Sequence, residues 1–278
     1  MRVGRIPYIN CYPVYGAIDR HIVPLDAELV DGVPSALNHA MAAGTLDVSV
    51  ISAVEYAREA SRYLLLPDLA ISCDGPVRSV MLFSRRPAET LGDGRVLVSR
   101  SSMTSVALLE MLFEQVWRCN PRFIPADAEI ANLGPNDVEV HDARLIIGDA
   151  ALLLSSGASP HAADYPYVYD LGDVWKTWTG LPFVFAVWVA QRSTPVQAAL
   201  AVHAQLIQSR DWGLAHLDQL AAQAAVATGV SRAAALQYLS GLDYGLRYEY
   251  LAGLTTFFGK LAASGRVPNG SLAFLPAA

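Results

Sequence analysis

The chain has 278 residues, of which 53% are hydrophobic and 17% are charged. This balance is typical of a well-buried globular protein with one large or two modest domains, and it excludes a disordered chain. The formal net charge of −6 argues against a general nucleic-acid-binding protein, which needs a basic face for phosphates. The net charge does not exclude a small anionic ligand, because helix N-termini bind anions without net positive charge.

The sequence indicates a cytoplasmic protein. The first ten residues lack the apolar run of a secretory signal, and Pro7 interrupts them. No stretch approaches the roughly 20 apolar residues of a membrane span. Cys11, Cys73 and Cys119 have no C-x-x-C spacing and are interpreted as free thiols. The histidines show no metal-ligand spacing. We therefore expect no metal, cofactor, nucleic-acid or membrane partner; the oligomeric state stays open.

The chain opens with a short strand at 3–6 and an unusual segment at 5–15, which is rich in aromatic residues and proline. Pro7 and Pro13 fix φ and remove donors, so a long helix cannot run through it. Asn10 lies among aromatic side chains, which is unusual for a core strand and typical of a binding loop. An ordinary aromatic turn is the alternative.

Strands and helices alternate through the following residues, and helices alone follow residue 194. The further strands are predicted from apolar runs, and the helices from helical spacing, caps, prolines and glycines. The predicted strands are 46–51, 80–84, 95–99, 144–147 and 183–190, and the predicted helices are 34–43, 52–60, 104–116, 195–209, 231–240 and 247–263.

This alternation predicts an α/β fold with βαβ units, parallel-rich sheets and a helical C-terminal region. The strands 80–84 and 183–190 flank a middle segment that is itself β/α. We therefore expect two lobes, one formed by residues 1–80 with 185–278 and the other by 81–184, with the ligand in the cleft between them.

Polar clusters follow or precede several predicted strands, where open α/β sheets bind ligands. The clusters are Asn10, Ser52, Arg78 with Ser79, Ser101 with Ser102, Thr104 and Ser105, Gly148 with Asp149, and Trp178 with Thr179. The cluster Ser101–Ser105 is the most informative, because its four hydroxyls stand at the start of a predicted helix and a plain N-cap needs only one. This favours a carboxylate or phosphate site.

The other clusters allow simpler explanations. Ser52 forms an apparent capping box with Glu55, which leaves ligand contact open. Asp149 is either a general base or the cap of a helix from Ala150, and we favour the cap. Arg78 and Arg100 are candidate anion partners, although most arginines are only solvated. No catalytic triad, phosphate loop or dinucleotide fingerprint is present, so catalysis would rest on positioning and hydrogen bonding.

These clusters together resemble the chorismate dehydratase family of the futalosine route to menaquinone. The matching stretches are residues 5–15, 33–38, 44–56, 99–109, 147–152 and 178–188. The resemblance implies the two-lobed fold of type II periplasmic binding proteins. Ala53 departs from the pattern, which has a second serine after Ser52.

The resemblance also implies the reaction, which removes water from chorismate and gives 3-[(1-carboxyvinyl)oxy]benzoate. The ring loses the C3 hydrogen and the C4 hydroxyl. By this resemblance Asn10 and Ser79 serve the elimination, and neither is a strong base at neutral pH. The hypothesis is that the substrate's enolpyruvyl carboxylate, held by both residues, takes the C3 proton. Tyr8, Tyr12 and Trp178 suit the flat ring.

Three other functions remain as alternatives. A non-catalytic solute-binding protein would usually be exported, and the start at Met1 predicts otherwise. The sister naphthoate synthase of the same pathway would carry a histidine in the early motif, whereas this motif has Asn10 and the nearest histidine is His21. A ligand-binding regulator would need a DNA-binding domain with a basic face, which is not evident.

Overall fold

The computed structural model describes residues 1–126, 140–157, 159–268 and 270–276. The strands of these described residues form two five-stranded sheets. The first sheet contains β1 (Arg2–Arg5), β2 (Glu28–Asp31), β3 (Val48–Ser52), β4 (Tyr63–Cys73) and β10 (Phe183–Gln191), and the second contains β5 (Val80–Ser84), β6 (Arg95–Ser99), β7 (Arg122–Ala126), β8 (Ala143–Ile147) and β9 (Tyr167–Asp170).

The helices occur between the strands and throughout the C-terminal region, as predicted. They are α1 (Tyr12–Asp19), α2 (Pro34–Ala42), α3 (Ala53–Arg58), α4 (Met103–Leu112), α5 (Gly148–Ser155), α6 (Leu171–Thr179), α7 (Val196–Ala215), α8 (Leu217–Thr228), α9 (Arg232–Gly241) and α10 (Tyr248–Ala263). A π-helical turn, Phe113–Trp117, continues from α4. Among the described residues, no helix has both the length and the apolar character to cross a membrane.

The two sheets are built alike, and both are mixed instead of the parallel-rich sheets expected. The strand orders are β2-β1-β3-β10-β4 and β7-β6-β8-β5-β9. In the first sheet β1 runs parallel to β2 and β3, and in the second β6 runs parallel to β7 and β8. The antiparallel strands are β10 and β5, which begin just after the chain crosses from the other sheet.

The chain crosses twice between two lobes, each organised around one sheet. The first sheet takes its strands from residues 2–73 and 183–191, and the second from residues 80–170. The two-lobed α/β fold is therefore confirmed. The boundaries at 81 and 184 stay a prediction.

Several elements escaped prediction, and β4 and α1 did so for local reasons. Strand β4 contains Pro67 and Asp68, which interrupt the apolar run, and Asp68 has a φ of 54°. Its pairing with β10 shifts register at this point, so the irregularity is a bulge. Helix α1 begins at Tyr12 and has Pro13 in its first turn. Proline is tolerated there because a backbone N–H in the first turn has no partner within the helix.

The outer edge of β4 is occupied by segments from the C-terminal region. The N–H of Leu65 donates to the carbonyl of Ala273 at 2.7 Å, and the N–H of Leu275 donates to the carbonyl of Leu65 at 2.8 Å. Further along, Ser72 and Asp243 exchange backbone hydrogen bonds at 2.9 and 3.0 Å. The C-terminal region is thereby attached to the first lobe.

The parallel strands of both sheets end at the cleft. Strands β1 and β3 are followed by the segments that carry Asn10 and Ser52, and β6 and β8 are followed by those that carry Ser102 and Gly148. Because ligands of open α/β sheets bind at the carboxyl ends of strands, this arrangement gathers the predicted clusters in one place.

Candidate active site between the lobes

A cavity lies where the two lobes meet, with about 530 Å³ of empty space that includes its opening to solvent. Its lining combines hydroxyl and amide groups with an apolar wall. The lining residues are Ile6, Tyr8, Asn10, Pro34, Ser52, Ile71, Ser79, Val80, Ser102, Thr104, Ser105, Ile147, Gly148, Phe185 and Ala186. This described lining includes neither arginine nor lysine, so an anion held here would depend on hydroxyls, amides and helix N-termini.

Asn10 lies in a 3-10 turn, Ile9–Cys11, directly after Tyr8. The turn is closed by the N–H of Cys11, which donates to the carbonyl of Tyr8 at 3.0 Å. The Oδ1 atom of Asn10 is buried and has no hydrogen-bond partner among the described residues. An unpaired buried acceptor costs about 1–3 kcal/mol, which is tolerated where a ligand supplies the partner.

Ser52 stands at the N-cap of α3, but its side chain makes no cap hydrogen bond, so the predicted capping box is wrong. Its N–H donates to Oδ1 of Asn38 at 3.1 Å, and its Oγ accepts from Nδ2 of Asn38 at 2.9 Å. Glu55 accepts instead from the hydroxyl of Tyr63 at 3.2 Å, and burial raises its pKa. The N–H of Ser52 can donate only to the oxygen of the Asn38 amide, so Nδ2 of Asn38 is the group that donates to Oγ of Ser52. The hydroxyl proton of Ser52 is not used in this pair and is directed to the cavity.

Ser79 lies at the first crossing between the lobes, immediately before β5. Its carbonyl accepts from the N–H of Gly148 at 2.8 Å, and its Oγ accepts from the hydroxyl of Tyr238 at 2.8 Å. The preceding Arg78 has a left-handed backbone with a φ of 60°. The structure does not bring the Arg78 side chain to the cavity; its guanidinium lies beside Gly241.

The hydroxyl cluster at the start of α4 is divided between capping and cleft contacts. Ser102 is the N-cap, and its Oγ accepts from the N–H of Ser105 at 3.3 Å. Thr104 Oγ1 accepts from the N–H of Val54 in α3 at 3.1 Å, so this bond crosses the cleft. Ser101 is bonded to Ser99 through its N–H and its hydroxyl, and it does not line the cavity.

Asp149 is beside the cavity and not a cap. Helix α5 begins at Gly148 with Ile147 as its N-cap, so the predicted cap of a helix from Ala150 is wrong. Oδ1 of Asp149 accepts from the N–H of Ile9 in the other lobe at 3.2 Å. Burial raises the pKa of this carboxyl to about 6, and the hydrogen bond from Ile9 opposes that rise.

Gly148 allows a close approach of Tyr8. Its φ is +65°, which disfavours other residues, and a Cβ here would lie 3.1 Å from the Tyr8 ring. The aromatic ring therefore packs against bare backbone at the start of α5. This contact joins the two lobes at the cavity wall.

The structure does not bring Trp178 and Thr179 to the cavity, because they stand at the end of α6. The Trp178 ring lies under Nζ of Lys260, 4.2 Å from the ring centroid. The Thr179 hydroxyl donates to the carbonyl of Trp175 at 2.9 Å. Tyr12 and Arg100 are likewise outside the lining, and Arg100 donates to the carbonyl of Pro125.

Sequence reasoning missed the groups behind the site and its apolar wall. Asn38 and Tyr238 contact site serines from positions 14 and 159 residues away. Ile71 and Phe185 line the cavity from β4 and β10, whose apolar runs do not show which side chain faces a ligand. Among the described residues, no group of three or more histidines, cysteines and carboxylates is arranged to hold a metal ion. That no cofactor is needed stays a prediction.

The chain was compared with known proteins. A protein-family model described as menaquinone biosynthesis matches residues 1–263. The chain is 32% identical over 264 residues to the chorismate dehydratase of Thermus thermophilus, covering 90% of this chain and 94% of that protein. It is 30% identical over 190 residues to the chorismate dehydratase of Campylobacter jejuni, covering 67% and 66% of the two chains.

Solved structures share the architecture at lower identity. A structural-genomics protein from Archaeoglobus fulgidus has a TM-score of 0.76 and 21% identity, covering 96% of this chain and 98% of that one. The periplasmic aliphatic sulphonate binding protein of Escherichia coli has a TM-score of 0.63 and 14% identity, covering 100% and 94%. At these identities the likeness concerns the fold, which is that of periplasmic binding proteins.

Proposed function

Because the chain belongs to the menaquinone-biosynthesis family, we propose that it is an enzyme acting on chorismate, a chorismate dehydratase. Its relatives in Thermus thermophilus and Campylobacter jejuni bear that name. The reaction is the carbon–oxygen lyase step that gives 3-[(1-carboxyvinyl)oxy]benzoate and water. The protein works without a metal or organic cofactor.

One observation carries the assignment of the site. Asn10 and Ser79, which come from separate segments, line the same cavity as the hydroxyls at the start of α4. A dicarboxylate with a flat ring matches this lining, because hydroxyls and helix N-termini accept the carboxylates and Phe185 and Ile71 accept the ring.

The elimination proceeds with the substrate as its own base. The enolpyruvyl carboxylate takes the proton from C3, the C3–H electron pair becomes the new ring double bond, and the C4–O bond breaks. The departing hydroxide takes a proton and leaves as water, which restores the carboxylate. Asn10 and Ser79 hold the carboxylate where it can take the C3 proton. Catalysis is therefore by orientation and electrostatic stabilisation.

The lobes close on the substrate by bending of the backbone at the crossings near residues 80 and 183. The bonds from Val54 to Thr104 and from Ile9 to Asp149 would form on closure. Closure excludes bulk water from a reaction that releases water. We further propose a cytoplasmic location, since Cys11 and Cys73 are free, buried thiols.

The direct test is to incubate the purified protein with chorismate and to follow the aromatic product by absorbance and mass spectrometry. The proposed function predicts stoichiometric conversion to the dehydrated product. Asn10→Ala serves as the control for contaminating activity. A folded wild-type protein that leaves chorismate unchanged would refute the proposal.

A second candidate is a non-catalytic protein that binds a small anion. The fold of the sulphonate-binding protein of Escherichia coli favours it, as does a cavity lined with hydroxyls. Calorimetry with chorismate separates the two candidates, because tight binding with no turnover would support this one.

A further inference from the structure

Tyr238 in α9 is a fully buried tyrosine whose hydroxyl reaches the active-site cavity through one contact. Its side chain is 1% exposed, and its O–H donates to Oγ of Ser79 at 2.8 Å. The two residues are 159 positions apart. Helix α9 of the C-terminal region therefore contacts a residue that lines the cavity, although its sequence carries no motif.

The rest of Ser79 is held just as firmly. The carboxylate of Asp170 accepts from the N–H groups of Val77 and Arg78 at 3.0 and 2.6 Å. These bonds hold Arg78 in its left-handed conformation, which costs about 1–3 kcal/mol in a residue other than glycine. With its carbonyl bonded to Gly148, Ser79 has its backbone fixed on both sides.

The remaining freedom of Ser79 is the direction of its hydroxyl proton. A serine hydroxyl has one proton and two acceptor lone pairs. Tyr238 occupies one lone pair from the buried side, so the proton is directed away from Tyr238 and toward the cavity that Ser79 lines. Burial raises the pKa of Tyr238 above its ordinary value, so the phenol remains a donor at any working pH.

We propose that Tyr238 is a positioning residue, which directs the hydroxyl proton of Ser79 into the cavity and makes Ser79 a hydrogen-bond donor to a substrate carboxylate. This inference rests on the proposed function and adds a residue to it. A chain of donors, from phenol to serine to carboxylate, also strengthens each bond by mutual polarisation.

The test is a double-mutant cycle of Tyr238→Phe and Ser79→Ala, with kcat and KM for chorismate as readouts. Tyr238→Phe removes one oxygen atom and should lower kcat about five- to tenfold in the wild-type background, as expected for one lost hydrogen bond. In the Ser79→Ala background it should have no further effect. An equal loss in both backgrounds would mean a merely structural role and would overturn the inference.

Tyr244→Phe is the matched control. Tyr244 is 2% exposed, and its hydroxyl has no hydrogen-bond partner among the described residues. Its loss should leave kcat within twofold of wild type. A fall equal to that of Tyr238→Phe would count against a specific role for Tyr238.

The same cycle is run on binding of 3-[(1-carboxyvinyl)oxy]benzoate by calorimetry, which separates the two proposals. Turnover without coupling between Tyr238 and Ser79 overturns this inference alone. Coupled binding without turnover supports the inference and overturns the dehydratase. Absence of both turnover and binding in the wild type overturns both.

A second measurement guards against a Tyr238→Phe variant that does not fold. In protein labelled at the tyrosine Cζ carbon, the resonance that moves in Ser79→Ala belongs to the bonded phenol. That resonance should shift when the product binds to the wild type, because a donating Ser79 is a stronger acceptor. An unchanged resonance in the bound protein would overturn the inference.

Discussion

The two walls of the cavity use their polar groups differently. On the wall of the first lobe, Ser52 is bonded to Asn38 and Ser79 to Tyr238, so each hydroxyl keeps its proton for the cavity. On the wall of the second lobe, Thr104 and Asp149 accept backbone N–H groups from across the cleft. One wall is prepared for a ligand, and the other is bonded to the opposite lobe.

This difference separates recognition from closure. Ser52 and Ser79 on the first wall have partners of their own, and so their contribution to a ligand does not depend on the distance between the lobes. Groups of the second wall lose their partners when the lobes part. Asn38 contacts both lobes, because its Nδ2 also lies 3.0 Å from Sδ of Met103 in α4.

The largest effect should come from Asn10 on the first wall. Asn10→Ala removes an amide whose Oδ1 has no partner among the described residues, so folding loses little. The activation barrier should rise by about 3 kcal/mol, so that kcat falls on the order of a hundredfold. Steady-state kinetics measure this loss, and a thermal melt checks the fold. Near-normal activity in a folded variant would break the assignment of this wall.

Asp149→Asn should change stability in a pH-dependent way. The pKa of Asp149 is raised to about 6 in the folded protein, so the folded state binds a proton more tightly than the unfolded state does. Stability from this group is full below pH 4 and is lost as the pH rises to about 6. The asparagine can still accept from Ile9, and above pH 7 it should stabilise the protein by up to about 3 kcal/mol.

Urea unfolding of both proteins between pH 4 and pH 8 measures this difference. The two curves should meet near pH 4 and separate as the pH rises. Parallel curves would mean that Asp149 titrates normally and that its contact across the cleft does not exclude water.

Thr104→Val tests closure on the second wall. Valine keeps the shape of threonine but cannot accept from the N–H of Val54. We expect KM to rise about fivefold with kcat nearly unchanged, if the bond forms equally in the ground and transition states. Scattering should give a larger radius of gyration with bound product than in the wild type.

Ser101→Ala is the matched control, because Ser101 belongs to the same cluster but is bonded to Ser99 and does not line the cavity. Its KM should equal that of the wild type. If both variants behave alike, the contrast between the two walls does not hold for this cluster. Replacing Ser102 together with Thr104 should weaken binding further.

The smallest expected effect is that of a chelator. Dialysis against a chelator should leave turnover unchanged, since hydroxyl, amide, carboxyl and backbone groups of the protein itself provide the hydrogen bonds of both walls. A strict need for added metal would contradict the mechanism. Activity assays before and after dialysis decide it, with the wild-type protein kept in plain buffer as the control.

Prediction from sequence succeeded where the signal was local. The strands 80–84 and 95–99 coincide with β5 and β6, and the polar clusters after β1, β3, β6 and β8 meet at one cavity. The apolar run of a buried strand and the polar residue after it lie within a few positions of each other. Local patterns therefore identify which segments face the cleft.

Prediction failed where distant residues decide a contact. Ser52 followed by Glu55 has the spacing of a capping box, but Asn38 and Tyr63 compete for those side chains. Trp178 was predicted to contact a flat ring, but its position at the end of α6 places it against Lys260. Tyr238 is separated from Ser79 by most of the chain, and no periodicity connects them.

The pairing of the C-terminal segment with β4 has a consequence for solubility. A strand at the border of a sheet exposes unpaired N–H and C=O groups, to which a strand of another molecule can add. Here the backbone of Leu65 is already paired with the chain's own Ala273 and Leu275. The segment thereby hinders edge-to-edge pairing with another molecule at this border of the first sheet.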